Sequence, residues 1–519
     1  MTRSPLPLFH LDTMKGYLPI PYSRRTESMI RNQFRILFAT LLVLPNCGLA
    51  AEPARPNILV ILCDDLGWGD LENYGHPSIK TPNLMNMAAE GIQFSDFYSA
   101  APVCSPSRVG LLTGRMPNRA GVYDWIPSAN PNNIKNSRAF VEMRKEEFTI
   151  PRLLKQAGYA TCMSGKWHCN AMFNSDKQAQ PGDHGFDHWF ATQNNASPSH
   201  ENPKNFVRNG EEVGKLEGFS CQLVADEFIA WLRKHHSDNP KQPFFGYVAY
   251  HEPHEPVASP ADLVSKHEQG DARNQDEAHY FANVENLDAA TGKLLKALED
   301  LGYDENTLVI FTSDNGPETL NRYRSANRSY GTPGPLRGMK LHTHEAGYRV
   351  AGIMRWPKGI KPKQKSATPV CSLDFLPTFA QLAGADVPKD LVLDGANFLP
   401  ALSGGEVQRE KPLMWVYYHS YTGKKYVPSL SMRDGNLKVR ALLEGFPTNA
   451  QVDQSNVERV KAATLVDFEL YDLSRDPSEK SALPLKGSNL PERLRKQYRA
   501  VLETFHVWPA VPPKAPEAK

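Results

Sequence analysis

The sequence predicts an α/β fold: a large, mainly parallel or mixed sheet flanked by helices, followed by a smaller antiparallel sheet plus one helix. Three observations carry the prediction. Continuous apolar runs with β-branched members recur as far as residue 356, as expected of strands buried on both faces. Between them lie stretches with apolar residues at helical spacing, and strands alternating with helices build parallel sheets. From about Lys411 the runs shorten, and a turn signal separates two of them, which marks antiparallel pairing.

The first strand is the run 57–63, Asn-Ile-Leu-Val-Ile-Leu-Cys. Thr81-Pro82-Asn83 starts a helix that Gly91 stops, and Thr149-Ile150-Pro151 starts another that ends at Gly158. Proline suits a first turn because its missing N–H costs nothing there. Further strands are predicted at 159–164, 244–250, 308–313 and 350–356, with helices over 221–234 and 280–301. In the second part, 413–418, 430–433, 437–442 and 468–473 read as short strands, with Asp434-Gly435-Asn436 as a hairpin turn. An amphipathic helix over 491–504 closes this part. The expected organisation is an upstream segment with a signal peptide at 1–50, a main domain at 51–410, an α+β subdomain at 411–508 and a flexible proline-rich tail at 509–519.

At 519 residues the chain can bury one large core and a smaller appended unit. Arg31 and Arg35 precede an apolar run at 36–44, and Gly48-Leu49-Ala50 resembles a cleavage site. A secretory signal starting at Met29 is therefore expected, with 1–28 as an upstream misread start. The run is too short to span a bilayer, which predicts an exported protein, periplasmic or secreted, without stable membrane insertion. Without the six basic and two acidic side chains of 1–50, 53 basic residues face 55 acidic ones, a net charge of −2. No global field then favours nucleic acid or an acidic membrane, and anion binding has to come from a local site. Cys47 leaves with the signal. Cys63, Cys162, Cys169, Cys221 and Cys371 form a sparse, odd set rather than a disulfide framework.

The most informative segment runs from Cys104 to Arg115: Cys-Ser-Pro-Ser-Arg-Val-Gly-Leu-Leu-Thr-Gly-Arg. Ser105-Pro106 sets up a helix start, Leu111 and Leu112 can face a core, and Gly114 ends the helix. Cys104 then stands at the positive helix end, where unpaired N–H groups favour an anion. Arg108, four residues on, shares its face. A nucleophile between a helix N-terminus and a guanidinium suits a tetrahedral oxyanion such as sulfate or phosphate. Other polar motifs follow strands: Asp64-Asp65, Lys166-Trp167-His168, His251-Glu252-Pro253-His254 and Asp314-Asn315-Gly316. In open α/β sheets ligands bind beyond the carboxyl ends of strands, so four strands deliver charge to one rim.

The Cys-x-Pro-Ser-Arg and Leu-Thr-Gly-Arg pattern resembles the signature of the sulfatase family, and the likeness extends from about 56 to 357 and less specifically beyond. The resemblance implies an alkaline-phosphatase-like fold and hydrolysis of a sulfate ester, a sulfated carbohydrate or an aryl sulfate. It implies that a formylglycine-generating maturation enzyme oxidises Cys104 to an aldehyde whose hydrate attacks sulfur. Asp64, Asp65, Asp314 and Asn315 match the family's metal ligands, with the modified Cys104 completing the shell. Such oxygen donors suit Ca²⁺ or Mg²⁺, and the family favours Ca²⁺. Arg108 matches the residue that steadies the hydrate, and Lys166 and His168 a pair contacting the aldehyde and sulfate oxygens. His254 matches the histidine near the leaving oxygen, and Lys340 the second sulfate-binding lysine. His251 fits less well and reads as a capped loop histidine. Cys169-Asn170 and Ala346 depart from the residues of many relatives, and substrate choice is expected to lie in loops such as 171–203 and 318–335. Arg322, Arg324 and Arg328 read as solvated surface charge. Two other readings are a phosphatase or phosphonate hydrolase on a related scaffold, and a catalytically silent module that binds sulfated glycans.

Overall fold

The computed structural model describes residues 55–419, 421–422, 425–446 and 452–510, with backbone only at 421, 422, 425 and 426. The upstream segment and signal peptide expected at 1–50, and the tail from 511, lie outside the described residues.

Among the described residues, eleven strands form one sheet. They are β1 (Asn57–Asp64), β2 (Ile92–Tyr98), β3 (Ala160–Lys166), β4 (His188–Thr192), β5 (Val207–Arg208), β6 (Glu211–Glu212), β7 (Phe244–Pro253), β8 (Thr307–Ser313), β9 (Arg349–Arg355), β10 (Gln364–Ser366) and β11 (Val370–Cys371). Their order is β10-β2-β9-β8-β1-β7-β3-β4-β5-β6, with β11 also paired to β2. The centre is parallel, whereas β9 runs antiparallel to both β8 and β2. The mixed α/β architecture expected from the sequence is thus the one observed.

The helices are α1 (Pro82–Ala89), α2 (Cys104–Thr113), α3 (Ile150–Gln156), α4 (Ser220–Asp238), α5 (Ala261–Glu268), α6 (Gln275–Asp300), α7 (Glu345–Tyr348), α8 (Phe375–Ala383), α9 (Val457–Ala462) and α10 (Leu490–Leu502). Helices α2, α3 and α8 cover one face of the large sheet and α4 and α6 the other, as the side-chain alternation of β1 makes visible. Ile58, Val60 and Leu62 pack in one core with Val109 and Leu112 of α2, Leu153 of α3 and Phe379 of α8. Leu59, Ile61 and Cys63 pack in the other with Val224 and Phe228 of α4 and Leu287 of α6. A strand apolar at every position is what two-sided burial requires.

Several boundaries differ from the sequence expectation. β3 continues to Lys166 and β7 to Pro253, so polar residues expected just after these strands belong to them. Helix α6 begins at Gln275 rather than 280, because the Asn274 side chain accepts from the Glu277 amide at 3.0 Å and caps it. β2, β4 and α8 were not anticipated.

Four further strands, β12 (Leu413–Tyr417), β15 (Ser429–Asp434), β16 (Leu437–Glu444) and β17 (Thr464–Asp472), form an antiparallel sheet in that order; β13 (Tyr421–Thr422) and β14 (Lys425–Tyr426) pair with each other. A buried ionic cluster ties this sheet to the large one. Lys438 of β16, fully buried, lies 3.0 Å from Glu345 of α7 and 2.7 Å from Glu479. Asp96 of β2 meets Arg433 of β15 at 2.6 Å and Arg349 of β9 at 2.5 Å. All six described cysteines are buried and free. Among the described residues no helix is long and apolar enough to cross a membrane.

Candidate active site

Register brings the acidic motifs together. β1 and β8 run parallel with Cys63 opposite Ser313, and the Asp314 amide donates to the Cys63 carbonyl at 3.0 Å. Asp64-Asp65 and Asp314-Asn315 therefore leave neighbouring strands at the same edge. On the other side of β1, Asp64 is opposite Pro253, which sets His254 at that edge too. β3 approaches β7 so closely at Gly165 (φ +112°) that a Cβ there would lie 1.8 Å from the Ala249 carbonyl oxygen. Only glycine allows the approach, and the next residue is Lys166. Asp65, His168 and Leu341 take positive φ of 63°, 54° and 73°. Such conformations cost about 1–3 kcal/mol apiece and cluster at functional sites.

Helix α2 begins at Cys104 itself, one residue earlier than expected, with Val103 as its N-cap and Gly114 (φ 65°) as its C-cap. Ser105 does not cap it; its hydroxyl accepts from the Ile126 amide at 2.9 Å. Cys104 is buried in the first turn beside Val103, Leu341 and Tyr417.

All ten residues selected from the sequence meet at this edge, each less than a tenth exposed. Arg108 donates through Nε to Asp314 Oδ2 at 2.9 Å and through NH1 to the Lys166 carbonyl at 2.9 Å, and its NH2 is 2.8 Å from Asp314 Oδ2. Lys166 Nζ donates to Asp64 Oδ2 at 2.5 Å, and Lys340 Nζ to Asp65 at 2.7 Å. Asn315 Nδ2 donates to Asp65 Oδ1 at 2.6 Å, and His254 Nε2 is 3.6 Å from Asp65 Oδ2. His168 Nε2 lies 3.0 Å from the Ile126 carbonyl. A carbonyl only accepts, so Nε2 carries the hydrogen and Nδ1 is an acceptor. His251 is a buried strand residue on Thr192 Oγ1 at 2.7 Å, not a loop histidine.

The carboxylates are electrostatically uneven. Burial alone would push Asp64 up, but Lys166, His254 and Arg108 hold it well below the usual carboxylate range. Burial pushes Asp65 up to about 6 despite Lys340. It pushes Asp314 up to about 7, with the Asp64 charge adding to the rise. Burial also raises the Cys104 thiol, against the pull of Lys166 and Lys340.

The donor set fits a hard cation. Buried Asp64 Oδ1 and Asn315 Oδ1 have no hydrogen-bond partner, and leaving each so costs about 1–3 kcal/mol. A cation bound by oxygens removes that cost and the repulsion among the acids. Ligand-type atoms of Asp64, Asp65, Cys104 and His254 lie within 4.8 Å of one another. The sequence places Asp314 in that set. Here its Oδ2 is taken by Arg108, its Oδ1 accepts from the Asp65 amide at 3.3 Å, and His254 joins the cluster.

A cavity of about 400 Å³ opens beside Cys104, lined also by His168, His254, Lys340, Trp125 and Tyr417. Asn194, Asn195, Arg322 and Tyr323 come from the loops 171–203 and 318–335 that were expected to set substrate choice, whereas sequence reasoning missed Asp124, Trp125, Glu255, Tyr417 and His419 in its wall. Glu255 was findable as the neighbour of His254; the others arrive from distant segments. Of the arginines read as surface charge, Arg322 holds buried Glu318 at 2.7 Å and also lines the cavity, while Arg328 pairs with Asp276.

Comparison with known proteins is consistent along most of the chain. The Sulfatase family profile matches residues 56–385, and that of the N-sulphoglucosamine sulphohydrolase C-terminal region matches 339–440. The chain is 37% identical to the N-acetylgalactosamine-6-sulfatase of Homo sapiens, over 86% of this chain and 85% of that protein. It is 34% identical to arylsulfatase A of Homo sapiens, over 85% of each. The crystal structure of Ps i-CgsB in complex with k-i-k-neocarrahexaose superposes with a TM-score of 0.70 at 28% identity, over 86% of this chain and 93% of that one. A putative sulfatase from Bacteroides fragilis shares the fold, with a TM-score of 0.65 at 21% identity, over 88% of this chain and 98% of that one. On these matches, and on the alkaline-phosphatase-like architecture that carries the site, the chain belongs to the sulfatase family and is a sulfuric ester hydrolase.

Proposed function

We propose that this hydrolase releases inorganic sulfate from a sulfated carbohydrate or aryl sulfate, using a formylglycine made from Cys104 beside one divalent cation, Ca²⁺ before Mg²⁺. The observation that carries the reading is the convergence of Cys104, three acids and five cationic or imidazole side chains at one buried edge with a cavity in front of it. Asp64, Asp65, Asp314 and Asn315 would hold the cation with position 104, and the two orphaned oxygens on Asp64 and Asn315 support this. When bound, the cation supplies positive charge against the sulfate oxygens and the nucleophile. The formylglycine, as its hydrate, supplies one hydroxyl to attack sulfur and a second through which sulfate is expelled.

The chain's own residues do the rest. Lys166 and Lys340 lie on either side of the acid pair and bind sulfate oxygens, compensating charge where it sits in the transition state. Arg108, locked on Asp314 and the Lys166 carbonyl, orients the side chain at position 104 one helical turn away. His254 directs Nε2 into the site and passes a proton to the leaving oxygen. His168 presents Nδ1 as an acceptor and takes a proton from the group at 104 in the second half of the reaction. Export of the protein through the segment at 1–50, and maturation by a formylglycine-generating enzyme, complete the proposal.

The test is to co-express the chain with such an enzyme, identify the modified Cys104 peptide by mass spectrometry, and compare rates on paired aryl sulfate and aryl phosphate together with a panel of sulfated saccharides. Sulfate turnover with an aldehyde at 104 is expected. Faster phosphate turnover, or full activity with an intact thiol, would overturn the proposal.

A further inference from the structure

We infer that Glu255, braced by Tyr323, is a positioning residue that fixes the His254 ring for proton delivery to the leaving oxygen. The inference rests on the role proposed above for His254. His254 Nδ1 lies 2.7 Å from the backbone carbonyl of Glu255 and 3.3 Å from its carboxylate Oε2. The carbonyl only accepts, so Nδ1 carries a hydrogen and Nε2 is left to face the acid cluster, 3.6 Å from Asp65 Oδ2.

The carboxylate of Glu255 is divided between two tasks. Its Oε1 accepts the Tyr323 hydroxyl, and its Oε2 forms no hydrogen bond with any other group, facing Nδ1. Glu255 is 4% exposed, so its contacts are little competed for by water. A carboxylate behind the distal nitrogen of a histidine holds the ring's orientation and its tautomer. When the bond between sulfur and the leaving oxygen breaks, its electron pair stays on that oxygen and takes the proton carried by Nε2 of the ring in its doubly protonated form, which leaves the neutral ring with its hydrogen on Nδ1. The Nδ1 hydrogen stays with the ring, and Glu255 transfers nothing. Tyr323 reaches Glu255 across 68 positions of sequence, from the segment at 318–335 that also supplies Arg322 to the cavity wall. Closure of that wall and orientation of the proton donor are therefore one arrangement.

The experiment measures kcat/KM for phenyl sulfates of graded leaving ability, from unsubstituted phenyl to 2,4-dinitrophenyl, whose phenolate needs no proton. Glu255→Gln is expected to lose about 100-fold on phenyl sulfate and about threefold or less on the dinitrophenyl ester, within the range that proton transfer contributes. Tyr323→Phe, which keeps the ring packing, should shift the series the same way by a smaller factor and covers the case in which Glu255→Gln fails to fold. Equal losses on every ester would mean a merely structural role and overturn the inference. His254→Ala separates the two readings. If it steepens the leaving-group dependence while neither Glu255→Gln nor Tyr323→Phe does, only this inference fails. If it does not, the assignment of His254 itself fails.

Discussion

Replacing Cys104 by alanine separates chemistry from fold. The side chain is 2% exposed and packs against Val103, Leu341 and Tyr417. Its sulfur makes no hydrogen bond that holds the helix, whose ends are set by Val103 and Gly114. Losing one buried methylene-sized group costs about 1 kcal/mol, which moves the Tm of a chain this long by about 1–2 °C. Removal of a nucleophile from an otherwise complete site lowers kcat by about 10⁶-fold, equivalent to about 8 kcal/mol. Cys104→Ala should therefore lose about eight times more in the barrier than in stability. The assay is release of 4-nitrophenol from its sulfate ester by protein matured beside a formylglycine-generating enzyme, with thermal melting on the same sample. Cys169→Ala is the control: Cys169 is buried in the core next to His168, and its thiol donates to the Trp167 carbonyl, so it should show a comparable melting shift and retain turnover. A Cys104→Ala protein working within tenfold of the parent would refute the reasoning.

Three further outcomes are expected. Calcium at 100 times its Kd should stabilise the protein by about 2.7 kcal/mol, a melting shift that chelation reverses and Asn315→Leu abolishes, read by differential scanning fluorimetry. Lys340→Met should lower kcat/KM for aryl sulfate by about 10²–10³-fold, the usual loss for one charge-stabilising group, in steady-state kinetics. Lys438→Met leaves the buried Glu479 carboxylate without its cation and Glu345 with Arg349 alone at 3.2 Å, and should cost about 3–5 kcal/mol in urea unfolding at pH 7. Burial would raise the Glu345 carboxyl, but Lys438, Arg349 and Arg433 hold it at about 2. Its contribution is therefore present above pH 4.5 and lost as pH falls toward 2, by about 3 kcal/mol at most. Glu479, raised mainly by burial, offsets part of that loss. The same unfolding series in acid should show a smaller drop for Lys438→Met than for the parent.

How much the sequence revealed depended on how local the signal was. β1 and β8 were legible because two-sided burial leaves an unbroken apolar run. β2, Ile-Gln-Phe-Ser-Asp-Phe-Tyr, was not, because Asp96 belongs to an ionic cluster whose partners lie more than 250 residues away. Helix α8 was missed because Phe-Leu-Pro-Thr-Phe-Ala-Gln-Leu-Ala is nearly apolar all round and shows no polar face at helical spacing. At the site, residues at strand ends could be collected without coordinates, since a parallel sheet presents them at one rim. Tyr323 sits in the loop 318–335 already expected to govern substrate choice, whereas Asp124, Trp125, Tyr417 and His419 could not be collected, because nothing in their own neighbourhood marks the segment they fold against. The hydrogen bond from Tyr417 to Asp124, 2.8 Å long, joins positions 293 residues apart.

That hydrogen bond has a bearing on biogenesis. Tyr417 and His419 come from the final quarter of the polypeptide yet help enclose the space in front of Cys104. A nascent chain halted before β12 already carries Cys104 and the buried acids but lacks the Tyr417 and His419 side of the cavity in front of them. This terminal portion therefore shapes the wall of the cavity while contributing none of the ten residues gathered at the sheet edge.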